Sequence, residues 1–255
     1  MATCPKSALQ LLNEEIRAPK LFTGFGDLDL LMGGGIKPGL FYLLYGDENS
    51  GLDVLVNRIL VNSLLPQEKH GFGGKVLYVN CGNYSHEQTL LNIELLWKLI
   101  KSANLDPMEA LEKINAICAF SAEQEEQIAD EISGMIKNDE KVKIVVVRNI
   151  AKLFVDKEHS QDKNLTRKIP VLDKIIEKIL QACSERNIAF VASCRPHKLT
   201  RTRIPLPEGG SYLTHKAGVM VYLRKIGQTP QFQAFLLKHP HKPKESSIFA
   251  LIGKG

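Results

Sequence analysis

The chain has 255 residues, 44% of them hydrophobic and 24% charged, which suits one large α/β domain or two small ones with an ordinary buried core. A net charge of +5 and an isoelectric point near 8.8 permit an acidic partner without demanding one. No run approaches the ~18 apolar residues of a membrane span, and the first twenty residues lack the apolar centre of a signal peptide.

Short apolar runs then alternate with helical patterns, the signature of a mostly parallel sheet. FYLLY at 41–45 reads as a strand and DVLVNRILVNSLL after it as a helix. KVLYVN at 75–80 is a second strand, residues 88–101 a helix, INAICAF at 114–120 a third strand, and a polar helix runs on through Met135 and Ile136. IVVV at 144–147 predicts a buried central strand, IEKILQACSE the next helix and NIAFVASC at 187–194 the next strand. GVMVYLR, FQAFLLK and SSIFALI follow with short turns between them, which predicts an antiparallel extension at one sheet edge. Residues 155–170 and 195–210 fit no element. Both leave the carboxyl ends of strands, where parallel α/β sheets bind ligands.

The five cysteines are scattered, without a C-x-x-C pair, and read as reduced thiols inside a cell. The HPH at 239–241 sits among Pro and Lys and reads as a solvated loop, so no metal site is expected.

GDENSGLD at 46–53 joins the first strand to its helix. Gly46 and Gly51 stand at the spacing of a phosphate-binding loop, G-x-x-x-x-G-K-[ST]. Such a loop needs a lysine for the phosphates and a hydroxyl for Mg²⁺, and here Leu52 and Asp53 hold those places. Asp47, Glu48 and Asp53 make the loop acidic, with no cation in it.

TGFGDLDLLMGGGIKPG, CAFSAEQ, EGGSYLTHKAGVMVYLRK and the terminal IFALIGKG occur in an order that resembles the ATPase core of the RecA/RadA recombinase family, in its archaeal and eukaryotic branch. The resemblance runs from about Thr23 to the end. It implies a RecA-like α/β P-loop core, with a mostly parallel central sheet, helices on both faces and an antiparallel C-terminal extension. Residues 1–22 are then a lead helix and linker, and 23–255 the core.

Laid on that family, the chain departs at each matched catalytic position. Leu52 and Asp53 replace the P-loop lysine and hydroxyl, and Arg148 replaces the metal-binding acid of the later strand. Asn80, Cys81 and Gly82 stand where the family has D-T-E, and Ser193 and Cys194 match its polar sensor. The expectation is a chain that is no enzyme, holding ATP and Mg²⁺ weakly or not at all. Asp53 and Arg148, where the family's metal ligands converge, are expected to face each other as an ion pair.

The resemblance also implies that the two irregular segments hold DNA. The second offers Arg195, Lys198, Arg201 and Arg203, and the first Lys163, Arg167 and Lys168 among acids. Neither segment has interleaved aromatics for base stacking. Single-stranded DNA is the expected form. A RadA-type recombinase or another paralogue is the expected protein partner, since family filaments form when an F-x-x-A linker adds to a neighbour's sheet edge. No F-x-x-A precedes the core here, so a self-propagating filament is not expected. The reading is an accessory of homologous recombination and DNA repair, cytoplasmic or nucleoid, nuclear in a eukaryote. One rival is an ATPase using other residues, for which Lys37 or Lys75 could be named as substitute cation although nothing in their position in the sequence supports it. Another is a scaffold that binds protein alone.

Overall fold

A computed structural model describes residues 7–82, 91–155, 165–197 and 204–250. The chain opens with α1 (Ala8–Arg17), started by a capping box in which Ser7 and Gln10 satisfy each other's amides. The short α2 (Gly26–Leu31) follows. Its Asp29 is buried and accepts from the amide and hydroxyl of Thr23 at 2.8 and 2.9 Å, so the Thr and Asp of the TGFGDLD segment tie that turn together. Desolvation outweighs these hydrogen bonds and pushes the Asp29 pKa up to about 6.

The core then reads β1 (Phe41–Gly46), α3 (Leu52–Leu64), β2 (Lys75–Cys81), α4 (Ile93–Ser102), α5 (Pro107–Glu112) and β3 (Ile114–Ala119). It continues with α6 (Ala122–Asn138), β4 (Val142–Arg148), α7 (Lys152–Val155), α8 (Leu165–Glu185), β5 (Ala189–Cys194) and α9 (Gly210–Lys216). Strands β6 (Val219–Lys225), β7 (Gln231–Lys238) and β8 (Glu245–Ala250) close the described chain. Side-chain caps mark several helix starts: Asn92 for α4, Asp106 before Pro107 for α5, and Ser121 for α6.

The eight strands form one sheet in the order β3-β2-β4-β5-β1-β6-β7-β8. Alternate residues of β1 feed two cores. Tyr42 and Leu44 pack with α2 to α5, while Phe41, Leu43 and Tyr45 pack with α6 to α9. This is the expected mostly parallel sheet with helices on both faces.

Three details differ from the sequence reading. Strand β6 pairs parallel with β1, and only β7 and β8 run antiparallel. The stretch between β5 and β6, including α9, is long enough to return the chain to the starting edge, as a parallel connection requires. Residues 165–170 belong to α8 and are not irregular, with Pro170 inside the helix. Proline carries a helical φ and removes a single backbone bond there, while the buried stripe Leu172, Ile175, Ile176 and Ile179 holds the helix on the sheet. Helix α5 is also absent from the sequence reading, and at six residues it is too short to show a period.

No helix among the described residues is long and apolar enough to cross a membrane.

Candidate functional site

The parallel strands β1, β2, β4 and β5 all point their carboxyl ends at one rim, which collects the 46–51 loop, Asn80 to Gly82, Arg148 and Arg195. Lys37 precedes β1 and Lys75 begins β2, so both lie toward the opposite rim. Lys75 is paired there with Asp139 at 2.7 Å. Neither fits the part of substitute cation.

The loop turns tightly. The Ser50 amide donates to the Asp47 carbonyl at 2.9 Å, and Gly51 enters α3 in the left-handed region at φ 78°. No side chain caps α3, so its first amides remain as anion donors, with Asp53 in the same turn. Leu52 packs partly buried against the core.

Arg148, at the end of β4, meets Asp53 as the sequence suggests. Its Nε and Nη2 both donate to Asp53 Oδ1, at 3.0 and 2.9 Å. The β2–β4 register sets Asn80 beside Arg148, and Tyr78 lies one turn of the pleat below. Burial pushes the Tyr78 hydroxyl pKa up, with the Arg148 charge working against it. Asp53, Asn57, Tyr78, Asn92 and Arg148 contribute to a cavity of about 110 Å³. Asn57 is held by donating to the Asp53 carbonyl at 2.7 Å. A phosphate–metal pair needs cations facing the phosphates and a carboxylate or hydroxyl facing the metal. Here the one carboxylate of α3's first turn faces a guanidinium, and positions 46–53 hold no cation. These residues do not fit Mg²⁺–ATP in the manner the family resemblance implies.

The other matched positions are structural in their contacts. Ser193 accepts from the Asn149 amide at 3.4 Å, and its carbonyl accepts from Ile150 at 3.0 Å, fixing the turn after β4. The Gly82 amide donates to the Ala119 carbonyl at 3.0 Å. Cys81 is fully buried beneath it and faces Glu125 of α6. Burial pushes the Glu125 pKa up to about 8 and the Cys81 thiol up as well. Sequence reasoning missed Glu125. The available signal was its place three, four and seven residues before Ile128, Ala129 and Ile132, on the apolar stripe of α6.

Of the expected DNA-binding residues, Lys163, Lys198, Arg201 and Arg203 lie outside the described residues. Arg167 and Lys168 belong to the first turn of α8 by their backbone. The second segment is rooted in a paired stem. His197 donates to the Leu206 carbonyl at 2.7 Å, Glu208 to the Arg195 carbonyl at 2.8 Å, and Pro196 faces Pro207. Arg195 pairs its Nε with Glu208 Oε2 at 3.4 Å, so it sits at the base of the stem with its charge partly offset. The Tyr45 hydroxyl donates to the Pro205 carbonyl at 2.9 Å.

Comparison with known proteins agrees with this architecture. A family model described as Rad51 matches residues 16–255. The chain is similar to the DNA repair and recombination protein RadA of Aeropyrum pernix, at 28% identity over 96% of this chain and 75% of that protein. It is likewise similar to the DNA repair and recombination protein RadA of Metallosphaera sedula, at 26% identity over 98% of this chain and 76% of that protein. These matches overturn the expectation that the chain is no enzyme. Leu52, Asp53, Gly82 and Arg148 alter single positions in a chain that otherwise matches, nearly end to end, a family whose core is an ATPase. With the match covering nearly all of its length, the chain belongs to the Rad51 family.

Proposed function

We propose that this chain serves DNA recombination and repair as an accessory paralogue, binding DNA at the carboxyl rim and a RadA-type recombinase or another paralogue through its core. The process is that named for its RadA relatives. The observation that carries the DNA reading is the paired stem of 195–197 and 204–208, which stands on the rim beside the 46–51 loop and roots the span holding Lys198, Arg201 and Arg203. Lys163, Arg167 and Lys168 supply a second, more diluted set. Arg195, engaged with Glu208, contributes less. Single-stranded DNA is the proposed form, because a flexible backbone can follow a short run of charges.

A partner strand finds support at the other side of the sheet. Strand β3 has an unpaired outer edge among the described residues, and a groove of about 530 Å³ runs along α6 past Asn115, Gly134 and Met135. For nucleotide, the proposal is weak binding of ATP with Mg²⁺. Asp53 and Arg148 engage each other, and the amides of α3 are opposed by Asp47 and Glu48.

The test is a titration of labelled single- and double-stranded DNA at two salt concentrations, with and without ATP and Mg²⁺. Salt-sensitive binding that ignores ATP supports the reading. No DNA binding at low salt, with recombinase capture intact, replaces it by a scaffold that binds protein alone.

A further inference from the structure

Arg58 lies midway along α3, about 9 Å down the helix axis from Leu52 at its start. Its guanidinium stacks over the Phe25 ring, 4.7 Å from the centroid, and Phe25 is itself buried against Phe249 of β8. Arg148, Arg186 and Arg195 each meet a carboxylate. Arg58 makes no hydrogen bond or ion pair among the described residues. Its Nε is shut off from solvent without an acceptor, which leaves the two Nη groups as the open edge. Desolvation pulls its pKa down, and no neighbouring carboxylate offsets this. A partly buried cation without a counter-charge is an unfavourable arrangement that a bound anion relieves.

Gly24 shapes the place. Its φ of 87° suits glycine, and a Cβ there would stand 3.2 Å from Arg58 Nη1 and 3.3 Å from Asn62 Nδ2. Two nitrogen donors therefore border one exposed glycine. Asn62, one turn beyond Arg58, gives one Nδ2 hydrogen to the Phe22 carbonyl at 2.9 Å and keeps the second. The carboxylate of the same turn, Asp29, is buried and committed to Thr23.

We propose that Arg58 and Asn62 form an oxyanion site over Gly24, which takes a single phosphate or carboxylate group on the Nη edge with Phe25 as its stacking floor. A planar guanidinium already held flat loses little freedom on binding such a group. The site lies on the flank of α3 and depends neither on the Asp53–Arg148 pair nor on DNA binding at the rim.

The experiment melts the full chain and Arg58→Met, which keeps a stem on Phe25 and removes the charge, in chloride, phosphate and acetate at equal pH and ionic strength. Phosphate at about 50 mM is expected to raise the parent roughly 2–5 °C more than the variant, with saturation. General salting effects, or an anion at the α3 amides, act on both chains alike and cancel in that difference. A difference with phosphate, acetate or both supports the site and names the oxyanion it takes. Equal shifts in the two chains overturn it. The second readout does not need the methionine variant. In ¹⁵N spectra, the Arg58 Nε–H resonance, assigned by its absence from Arg58→Lys, should shift and saturate as phosphate or acetate is added, and the Asn62 side-chain amide should move with it. Resonances that stay in place with both anions overturn the proposal.

Discussion

Arg148 grips a single oxygen of Asp53 with two of its nitrogens, at 3.0 and 2.9 Å, and so joins the end of β4 to the first turn of α3. The arginine is 23% exposed and the aspartate 58%, so solvent screens much of the attraction. Alanine at either position is expected to lower stability modestly, and the double-mutant cycle should return a coupling of about 0.5–1 kcal/mol. The swap Asp53→Arg with Arg148→Asp should recover part of the loss. Urea denaturation of the four chains of the cycle and of the swap, at low and high salt, measures this, with the coupling shrinking at high salt. A coupling of zero at low salt would mean that the pair contributes nothing.

The same pair makes a prediction about nucleotide. Thermal shift with millimolar ATP and Mg²⁺ should move the parent chain little. Leu52→Lys combined with Arg148→Asp frees Asp53 and adds one cation beside the α3 amides. ATP affinity should then rise by roughly tenfold or more, as a charge-assisted bond provides. Calorimetry would check it, and tight ATP binding by the parent would refute the weak-binding proposal.

For DNA, replacing Lys198, Arg201 and Arg203 together by alanine should lower affinity and flatten the salt dependence by about 2 in the slope on single strands, near 0.7 for each phosphate no longer neutralised. Fluorescence anisotropy across a salt series gives both numbers. An unchanged slope would remove this segment from the interface.

Glu125 predicts a pH dependence. Its folded pKa, about 8, lies above the ordinary carboxyl value of 4.5. The folded chain therefore holds a proton there that the unfolded chain releases. Stability from this group is greatest below about 4.5 and declines as pH rises to about 8. Glu125→Gln removes that decline. The variant should melt several degrees above the parent at pH 9, at roughly 2–4 °C for each kcal/mol, and the difference should shrink toward pH 5. Melting curves from pH 5 to 9 test the sign.

Much of the architecture was legible in the sequence because it is local. The apolar run 144–147 and the alternating segments near the C-terminus announce strands through their own composition, and the glycines at 46 and 51 mark a turn. The Asp53–Arg148 contact was legible by a different route, the family resemblance, since 95 residues separate the two. What stayed hidden depends on the fold itself. Nothing near Arg195 signals that Glu208 will return beside it, or that Tyr45, 160 residues earlier, will hold Pro205. The parallel pairing of β6 with β1 is likewise set by where the long connection returns, and not by the residues of β6. The start of α8 was obscured by Pro170, a residue that usually ends a helix and here sits near its beginning.

Gly46 divides scaffold from chemistry in the loop. A methyl group there would meet the Ser50 hydroxyl and come within 2.6 Å of the Leu223 carbonyl on β6, so the position is closed to any side chain whether or not a ligand is near. Gly51 is set by its left-handed backbone in the same ligand-independent way. The glycine spacing of a phosphate loop is thus, in this protein, a condition for strand β1 to turn into helix α3 beneath a neighbouring strand. Leu52 and Asp53 lie outside these two constraints and can be exchanged on an unchanged frame. The loop's shape is therefore set by packing within the fold, and the glycine spacing by itself reports that shape.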